Sequence, residues 1–332
     1  MNKLKIGIIG CSRIAKNSTI PAILKSENFE LEFIGSSSQK AEEFASNFNC
    51  KKFGSYDDVL NDNDVDVVYI STPVGLHEKW VIKSAEAGKH ILCEKSSCTS
   101  YSSAKKMIEV CKKNHVRIME TLMFRFHPSH KKVKEIIKNE IIGDIFSFYG
   151  CYGFPPIPKN DIRYNKSLGG GIFNDAGCYP ICASRILFDS EPESILCDLF
   201  IDKEFEIDTK ASVFMNFSDS RTCHFNVGYN LFYQSFYSLW GSKGVLHLSR
   251  AYNVPPDMPV TLTLNTNENE QKFLIEPVDH FKLMIDSFYD ELKNPGSSNY
   301  SFESDLLKQA RIMEAARLSF SEKRYVKINE IN

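Results

Sequence analysis

The stretch Ile6-Gly7-Ile8-Ile9-Gly10-Cys11-Ser12-Arg13-Ile14-Ala15 decides the fold. Residues 5–9 read as a strand, Gly10 as a turn, and the residues after it as the start of a helix. A phosphate-binding turn of this kind wants glycine, glycine and then glycine or alanine, at spacings of two and three. Those places hold Gly10, Ser12 and Ala15. Gly10 makes the tight turn, and Ala15 is small enough for the helix to approach the sheet. Ser12 departs from the pattern: its side chain crowds a pyrophosphate, although a hydroxyl can also donate to one. Around it, Cys11, Arg13 and Ile14 bring the free N–H groups and positive dipole end of a helix start to the same place.

Outward from this turn the pattern repeats. Strands are expected at 5–9, 31–36, 65–70, 90–93 and 116–119, with helices at 40–48, 77–87 and 102–113 between them. Apolar strands alternating with helices imply a doubly wound parallel sheet covered on both faces. The pattern changes after about residue 122. A helix is expected at 128–138, a strand at 144–152, an irregular loop with three prolines at 154–159, and a helix from Asp175 to about Phe188. Strands at 194–202, 208–217, 221–229, 232–240, 244–249 and 259–265 follow without intervening helices, so they should pair mostly antiparallel. The fold class is therefore α/β. A parallel-sheet domain is expected over 1–122, and a second α/β domain with an open, mostly antiparallel sheet over 123–332. Along 232–240, Phe232, Phe236 and Trp240 point one way while Tyr233, Tyr237 and Leu239 point the other. Helices of the same chain would cover one apolar face. A second subunit is the expected cover for the other. Phe302, Leu306, Ala310, Met313, Ala316 and Phe320 share one face of a helix over 301–320 and read as core.

Composition narrows the classes. The 332 residues are 42% apolar and 25% charged, with a formal net charge of −2. That balance gives no bulk attraction to nucleic acid or to an anionic membrane. No apolar run approaches the roughly 20 residues of a membrane span, and the start runs straight into a strand. The ten cysteines lack paired short spacings and suggest no metal site. They read as reduced, mostly buried thiols of a cytoplasmic protein.

The chemistry concentrates at strand ends. Glu94-Lys95 follows the strand at 90–93, at the carboxyl edge where open α/β sheets bind ligands. An ammonium there can stabilise a developing alkoxide and lower the pKa of a neighbouring phenol. The alternative is a surface pair between Lys95 and Glu94. Ser71-Thr72-Pro73 ends another strand at the same edge and can line a nicotinamide. His77 reads as a residue satisfied at its helix start, beside the same edge. The second strand leads into Ser36-Ser37-Ser38-Gln39-Lys40 with no carboxylate for a ribose, which favours NADP(H) and leaves NAD(H) as the alternative. Downstream, Gly169-Gly170-Gly171 precedes Asp175 and Tyr179. These two stand at i and i+4, on one helix face. The glycines would allow a very close approach to cofactor or substrate. Tyr179 is a candidate proton donor, Asp175 an orienting group, and Arg163 a binder of substrate hydroxyl or phosphate.

Together these segments resemble the glucose–fructose oxidoreductase / inositol dehydrogenase (Gfo/Idh/MocA) family, nearly end to end. Thr72-Pro73-Val74-Gly75-Leu76-His77 looks like its T-P-N-x-x-H motif, and Ala87-Gly88-Lys89-His90-Ile91-Leu92-Cys93-Glu94-Lys95 looks like A-G-K-H-V-L-x-E-K-P. Met123–Pro128 and Gly169–Tyr179 resemble the M-x-R-F-H-P and G-G-G-x-x-x-D-x-G-x-Y of a sugar and dihydrodiol dehydrogenase branch. Ser96 stands in place of the proline after the lysine. The resemblance implies an N-terminal Rossmann domain and a C-terminal sheet that mediates homodimers or homotetramers. It also implies that Lys95 is the catalytic lysine and Tyr179 the acid/base. The expected activity is hydride transfer, with NADP(H), to or from a carbonyl or secondary alcohol of a sugar, nucleotide-sugar or polyol-like substrate. An NAD-dependent glycosidase and a non-catalytic NAD(P)-binding sensor are the rival readings.

Overall fold

Burial explains the opening strand: Ile6, Ile8 and Ile9 are inaccessible to solvent. The computed structural model describes residues 3–297 and 300–332. Two compact units divide the chain, Met1–Met123 with Phe281–Leu307, and Phe124–His280 with Lys308–Asn332. Where a single boundary at 122/123 was expected, the segment Phe281–Leu307 thus returns to the first unit.

The first unit runs β1 (Leu4–Ile9), α1 (Ile20–Lys25), β2 (Phe29–Gly35), α2 (Lys40–Asn47), β3 (Lys52–Gly54), α3 (Tyr56–Asn61), β4 (Val67–Ile70), α4 (His77–Glu86), β5 (His90–Cys93), α5 (Tyr101–Lys113) and β6 (Ile118–Glu120). The six strands are parallel in the order β3-β2-β1-β4-β5-β6. This is the doubly wound order, and its direction reverses between β1 and β4. The short β3 and α3 carry weak apolar patterns and were not expected. Local chemistry sets the helix starts: Ser55 and Asp58 form a capping box on α3, and Ser100 Oγ accepts from Ser103 N–H on α5. Lys52 places its ammonium among Glu32, Asp62 and Asp64, at 2.6, 2.8 and 2.7 Å.

The second unit adds α6 (Pro128–Lys138), β7 (Ile145–Gly153), α7 (Cys178–Phe188), β8 (Ser194–Ile201), β9 (Asp208–Asn216), β10 (Thr222–Gly228), β11 (Gln234–Gly241), β12 (Gly244–Ser249), β13 (Val260–Thr266) and β14 (Glu270–Ile275). Next come α8 (His280–Lys293), α9 (Phe302–Glu322), within which the unit boundary falls, and β15 (Val326–Lys327). Nine strands align as β14-β13-β12-β11-β7-β10-β9-β8-β15. Their pairings are antiparallel except β7 with β10, which is parallel. Along β11 the expected alternation holds: Tyr237 and Leu239 are fully buried and Trp240 is 60% exposed. Phe232 and Tyr233, expected in this strand, precede it. On the buried side, His130 of α6 bonds Tyr237, and Ser319 of α9 accepts from the Cys197 N–H. The opposite side exposes Phe146, Tyr149 and Trp240.

Arg117 shows why Phe281–Leu307 joins the first unit. Its guanidinium bonds Glu303 at 2.6 and 3.1 Å and Glu291 at 3.0 Å. Ser26 and Asn28 donate to Asp286 from the other end of the sheet unit. No helix among the described residues is long and apolar enough to cross a membrane.

Candidate active site

The first group of expected site residues lies at the carboxyl ends of β1, β2, β4 and β5. Gly10 has φ +110°, and an added Cβ would stand 3.0 Å from the backbone of Ser71 and Thr72. Its N–H donates to Gly35 O at 3.1 Å, and Ser71 Oγ donates to its carbonyl at 2.7 Å. The turn is thus stitched to both neighbouring strand ends. Ser12 Oγ accepts from Ala15 N–H at 3.1 Å. The hydroxyl therefore caps the helix start, a use the two earlier alternatives for Ser12 did not include. A π-turn, Ala15–Thr19, precedes α1. Arg13 is exposed and Ile14 half-buried. Burial pushes the Cys11 thiol up, against a hydrogen bond from Ser36 and the charge of Lys40. Ser36 is buried and accepts from Ser38 N–H at 3.2 Å, while the exposed Ser37 accepts from Tyr56 OH at 3.5 Å.

At the end of β4, Ser71 and Thr72 are buried and Pro73 is half-buried. Thr72 Oγ1 is buried without a hydrogen-bond partner. A buried hydroxyl left this way is costly unless something else fills the place. His77 faces two backbone carbonyls, Thr72 O at 2.7 Å from Nε2 and Ser96 O at 3.1 Å from Nδ1. It ties the loop after β4 to the loop after β5, and burial lowers its pKa to about 4. Lys95 is half-buried, and the Lys95–Ser96 peptide is cis. Glu94 is not the surface partner that the alternative reading required. It is 8% exposed, and its Oε1 accepts from Tyr69 OH at 2.6 Å and Thr121 Oγ1 at 2.9 Å.

The second group lies in the other unit. Gly169 has φ +77° and ends a short turn. A Cβ on Gly170 would strike the carbonyl oxygens of Arg163 and Asn165, and one on Gly171 would strike the Asp208 carboxylate. The close approach expected of these glycines is present, but at Gly170 and Gly171 the chain itself makes it rather than a cofactor or substrate. Asp208 accepts from Phe173 N–H at 2.6 Å, and burial raises its pKa. The expected regular helix after Asp175 is also corrected. Phe173–Gly177 is a π-turn, and α7 begins only at Cys178.

Asp175 turns to Arg163, whose Nε donates to its Oδ2 at 2.7 Å, and Tyr229 OH donates to the same oxygen at 3.2 Å. Arg163 also reaches Asp161 at 3.2 Å. The neighbouring Asp175 charge holds the Arg163 guanidinium firmly protonated. Tyr179 is 3% exposed, packed against Tyr152, Phe124 and Tyr252 with ring centroids 5.1, 5.6 and 5.7 Å away. Tyr69, Thr121, Asp208 and Tyr229 went unnoticed in the sequence. Tyr69 sits in an apolar strand run and Tyr229 at a strand end, where an aromatic reads as core.

Residues 4–122 match the family model described as "Oxidoreductase family, NAD-binding Rossmann fold", and residues 130–247 match "GFO/IDH/MocA C-terminal domain". The chain is 28% identical over 319 residues to dTDP-3,4-didehydro-2,6-dideoxy-alpha-D-glucose 3-reductase of Saccharopolyspora spinosa, covering 94% of this chain and 96% of that one. It is 29% identical over 287 residues to D-xylose 1-dehydrogenase (NADP(+)) 2 of Haloferax volcanii, covering 86% and 88%. A 3-ketoreductase from Actinomadura kijaniata, solved with NADP and TDP-benzene, superposes with a TM-score of 0.92 at 28% identity, over 96% of this chain and 98% of that one. Forms of that ketoreductase with one tyrosine changed to phenylalanine and one lysine changed to alanine are also solved. Those two positions lie as far apart in its sequence as Lys95 and Tyr179 do here.

Proposed function

Because the chain belongs to the Gfo/Idh/MocA oxidoreductase family, we propose that it uses NADP(H) to interconvert a ring ketone and a secondary alcohol on a sugar, a nucleotide-linked keto-sugar being the substrate class. The observation that carries this reading is the array at the carboxyl ends of adjacent strands: the Gly10 turn, the unpartnered Thr72 hydroxyl and Lys95. It suits a dinucleotide, since the close approach at Gly10 and the leftover hydroxyl are both things a bound cofactor would use.

The bound cofactor supplies the hydride. In this reading Gly10, Cys11, Ser12, Arg13 and Ile14 present the turn and helix N–H groups to the pyrophosphate. Ser36, Ser37 and Lys40 take the 2′-phosphate, where an NAD site would carry a carboxylate. Ser71, Thr72 and Pro73 line the nicotinamide, and His77 holds their loop to the Lys95 loop. Lys95 stabilises negative charge growing on the substrate oxygen. Tyr179 delivers the proton to that oxygen in reduction and removes it in oxidation. Asp175, with Tyr229, orients Arg163 toward substrate hydroxyls. The matching separation of the substituted lysine and tyrosine in the ketoreductase supports pairing Lys95 with Tyr179 in one mechanism.

Absorbance of the nicotinamide tests this. NADPH should be oxidised with nucleotide-linked keto-sugars, and Tyr179→Phe should lower kcat by about 10²–10⁴-fold while the NADPH Kd barely changes. Undiminished kcat in that variant removes Tyr179 from the mechanism. The likeness to a D-xylose dehydrogenase favours a second reading, oxidation of a free pentose, and NADP+ reduction by free sugars with no activity on nucleotide-linked ones would establish it. The exposed aromatic side of the nine-stranded sheet, with Phe146, Tyr149 and Trp240, is proposed as the contact for a homodimer or homotetramer. A monomeric mass in sedimentation would reject it.

A further inference from the structure

Glu94 is a carboxyl group surrounded by donors. Tyr69 OH and Thr121 Oγ1 donate to Oε1, and the Lys95 N–H donates to Oε2 at 3.3 Å. The Tyr69 hydroxyl owns a single proton. Thr19 Oγ1 donates to that same oxygen at 3.0 Å, so the Tyr69 proton is committed to Glu94. Four side chains from separate segments of one unit therefore make a one-way chain: Thr19 to Tyr69 to Glu94, with Thr121 entering from the side. Such a chain favours the ionised carboxylate, which only accepts. Burial works the other way, and the net effect is a raised pKa.

We infer that Glu94 is a positioning residue for Lys95: a buried carboxylate, locked by Tyr69 and Thr121, that pins the Lys95 backbone at the end of β5 and keeps its ammonium charged. The inference rests on the role proposed above for Lys95. An ammonium at a half-buried strand end loses solvation, which favours its neutral form, and an adjacent carboxylate restores the charged one. Three other titratable groups around the pair do not substitute for it. Burial keeps His77 neutral near pH 7 and raises the Tyr69 phenol and Cys93 thiol, so these three carry no charge there. Glu120, whose charge also reaches Cys93, is a second carboxylate in this region and accepts from the Ser97 N–H at 2.8 Å.

The test is the titration of Lys95 in the whole protein without cofactor. Lysines are dimethylated with ¹³C, and the Lys95 signal is assigned by its loss in Lys95→Arg. Glu94→Gln keeps the shape and removes the charge, and it should lower the Lys95 midpoint by about one pH unit or more. The basic limb of kcat/KM should move down with it while the NADPH Kd holds. An unmoved midpoint overturns the inference. Full turnover in Lys95→Ala overturns the proposed role of Lys95, and with it the catalytic half of the inference, whatever Glu94→Gln does. Should Glu94→Gln not fold, Thr121→Val serves. It removes one donor and leaves Tyr69 in place, so the acidic inflection that Glu94 imprints on the Lys95 signal should rise by about half a unit. No rise overturns the inference.

Discussion

Two glycine turns in this molecule, at Gly10 and at Gly169–Gly171, invite the same reading of close approach and behave differently. At Gly10 the missing side chain lets a turn press against the strand-end backbone of Ser71 and Thr72, and a buried hydroxyl nearby has no partner. At Gly170 and Gly171 the missing side chains are taken up by the carbonyls of Arg163 and Asn165 and the carboxylate of Asp208. The polar groups beside that second turn are also matched among themselves, Arg163 to Asp175 and Tyr229 to Asp175. A glycine run thus reports close approach, and only the neighbours show whether the chain or a ligand makes it. The first turn has bonding capacity left over. At the second, the chain itself makes the close approach.

Stability against pH should show the largest effect on this contrast. Burial lowers His77 to about 4 in the first unit and His130 to about 3 in the second. Unfolded histidine binds its proton near 6.5, and these folded ones resist, so stability is full above that pH and drains as pH falls toward the folded values. Each buried ring accounts for up to about 3 kcal/mol between pH 6.5 and 4. His130 suits the neutral form, with Nδ1 beside the Tyr237 hydroxyl and Nε2 beside Ala251 O, at 3.0 and 2.9 Å. His77 faces two carbonyls, and a neutral ring can donate to only one of them. His130→Gln should therefore flatten the acid side of the urea midpoint more than His77→Gln. Equal slopes would erase the difference between the two rings.

Next in size are the glycines themselves. Gly171→Ala should cost about 1–3 kcal/mol in chemical denaturation, through its φ of +119° and the clash with Asp208, and leave NADPH affinity intact. Gly10→Ala should lose a similar amount and also weaken NADPH binding at least tenfold, about 1.4 kcal/mol. Equal loss of cofactor in both variants would end the distinction. The smallest effect is expected at Ser12. Ser12→Gly restores the second fingerprint glycine and should cost only a few tenths of a kcal/mol of helix capping while tightening NADPH modestly. Weaker NADPH binding would show that the Ser12 hydroxyl serves the phosphate as well as the helix.

Much of the fold was legible because it rests on local pattern. The apolar strands of the first unit, the helices at α2, α4 and α5, and the alternating strands from β8 to β13 follow from periods of two and 3.6 residues. What escaped was mostly short or weakly patterned, namely β3, α3 and the edge strand β14, but α8 was also missed although Phe281, Met284, Ile285 and Phe288 recur on it at helical spacing. The site was legible as residue types at strand ends, Gly10, Thr72 and Lys95 among them. Its supports were not. Tyr69 is an apolar-looking residue in an apolar strand, and its bond to Glu94 joins residues on neighbouring strands that no local pattern links. Asp208 begins a strand far from the glycine whose room it fills.

By itself, the sequence determined which segments bury apolar faces, where the phosphate turn falls, and which side chains carry acid–base chemistry, since each depends on neighbours a few residues away. The tertiary structure alone decided that Phe281–Leu307 returns to the first unit through Arg117, that β7 pairs parallel with β10, and that donors from two other segments close around Glu94. Those outcomes are set by hydrogen-bond and charge satisfaction between residues distant in the chain, and such partners are chosen by packing.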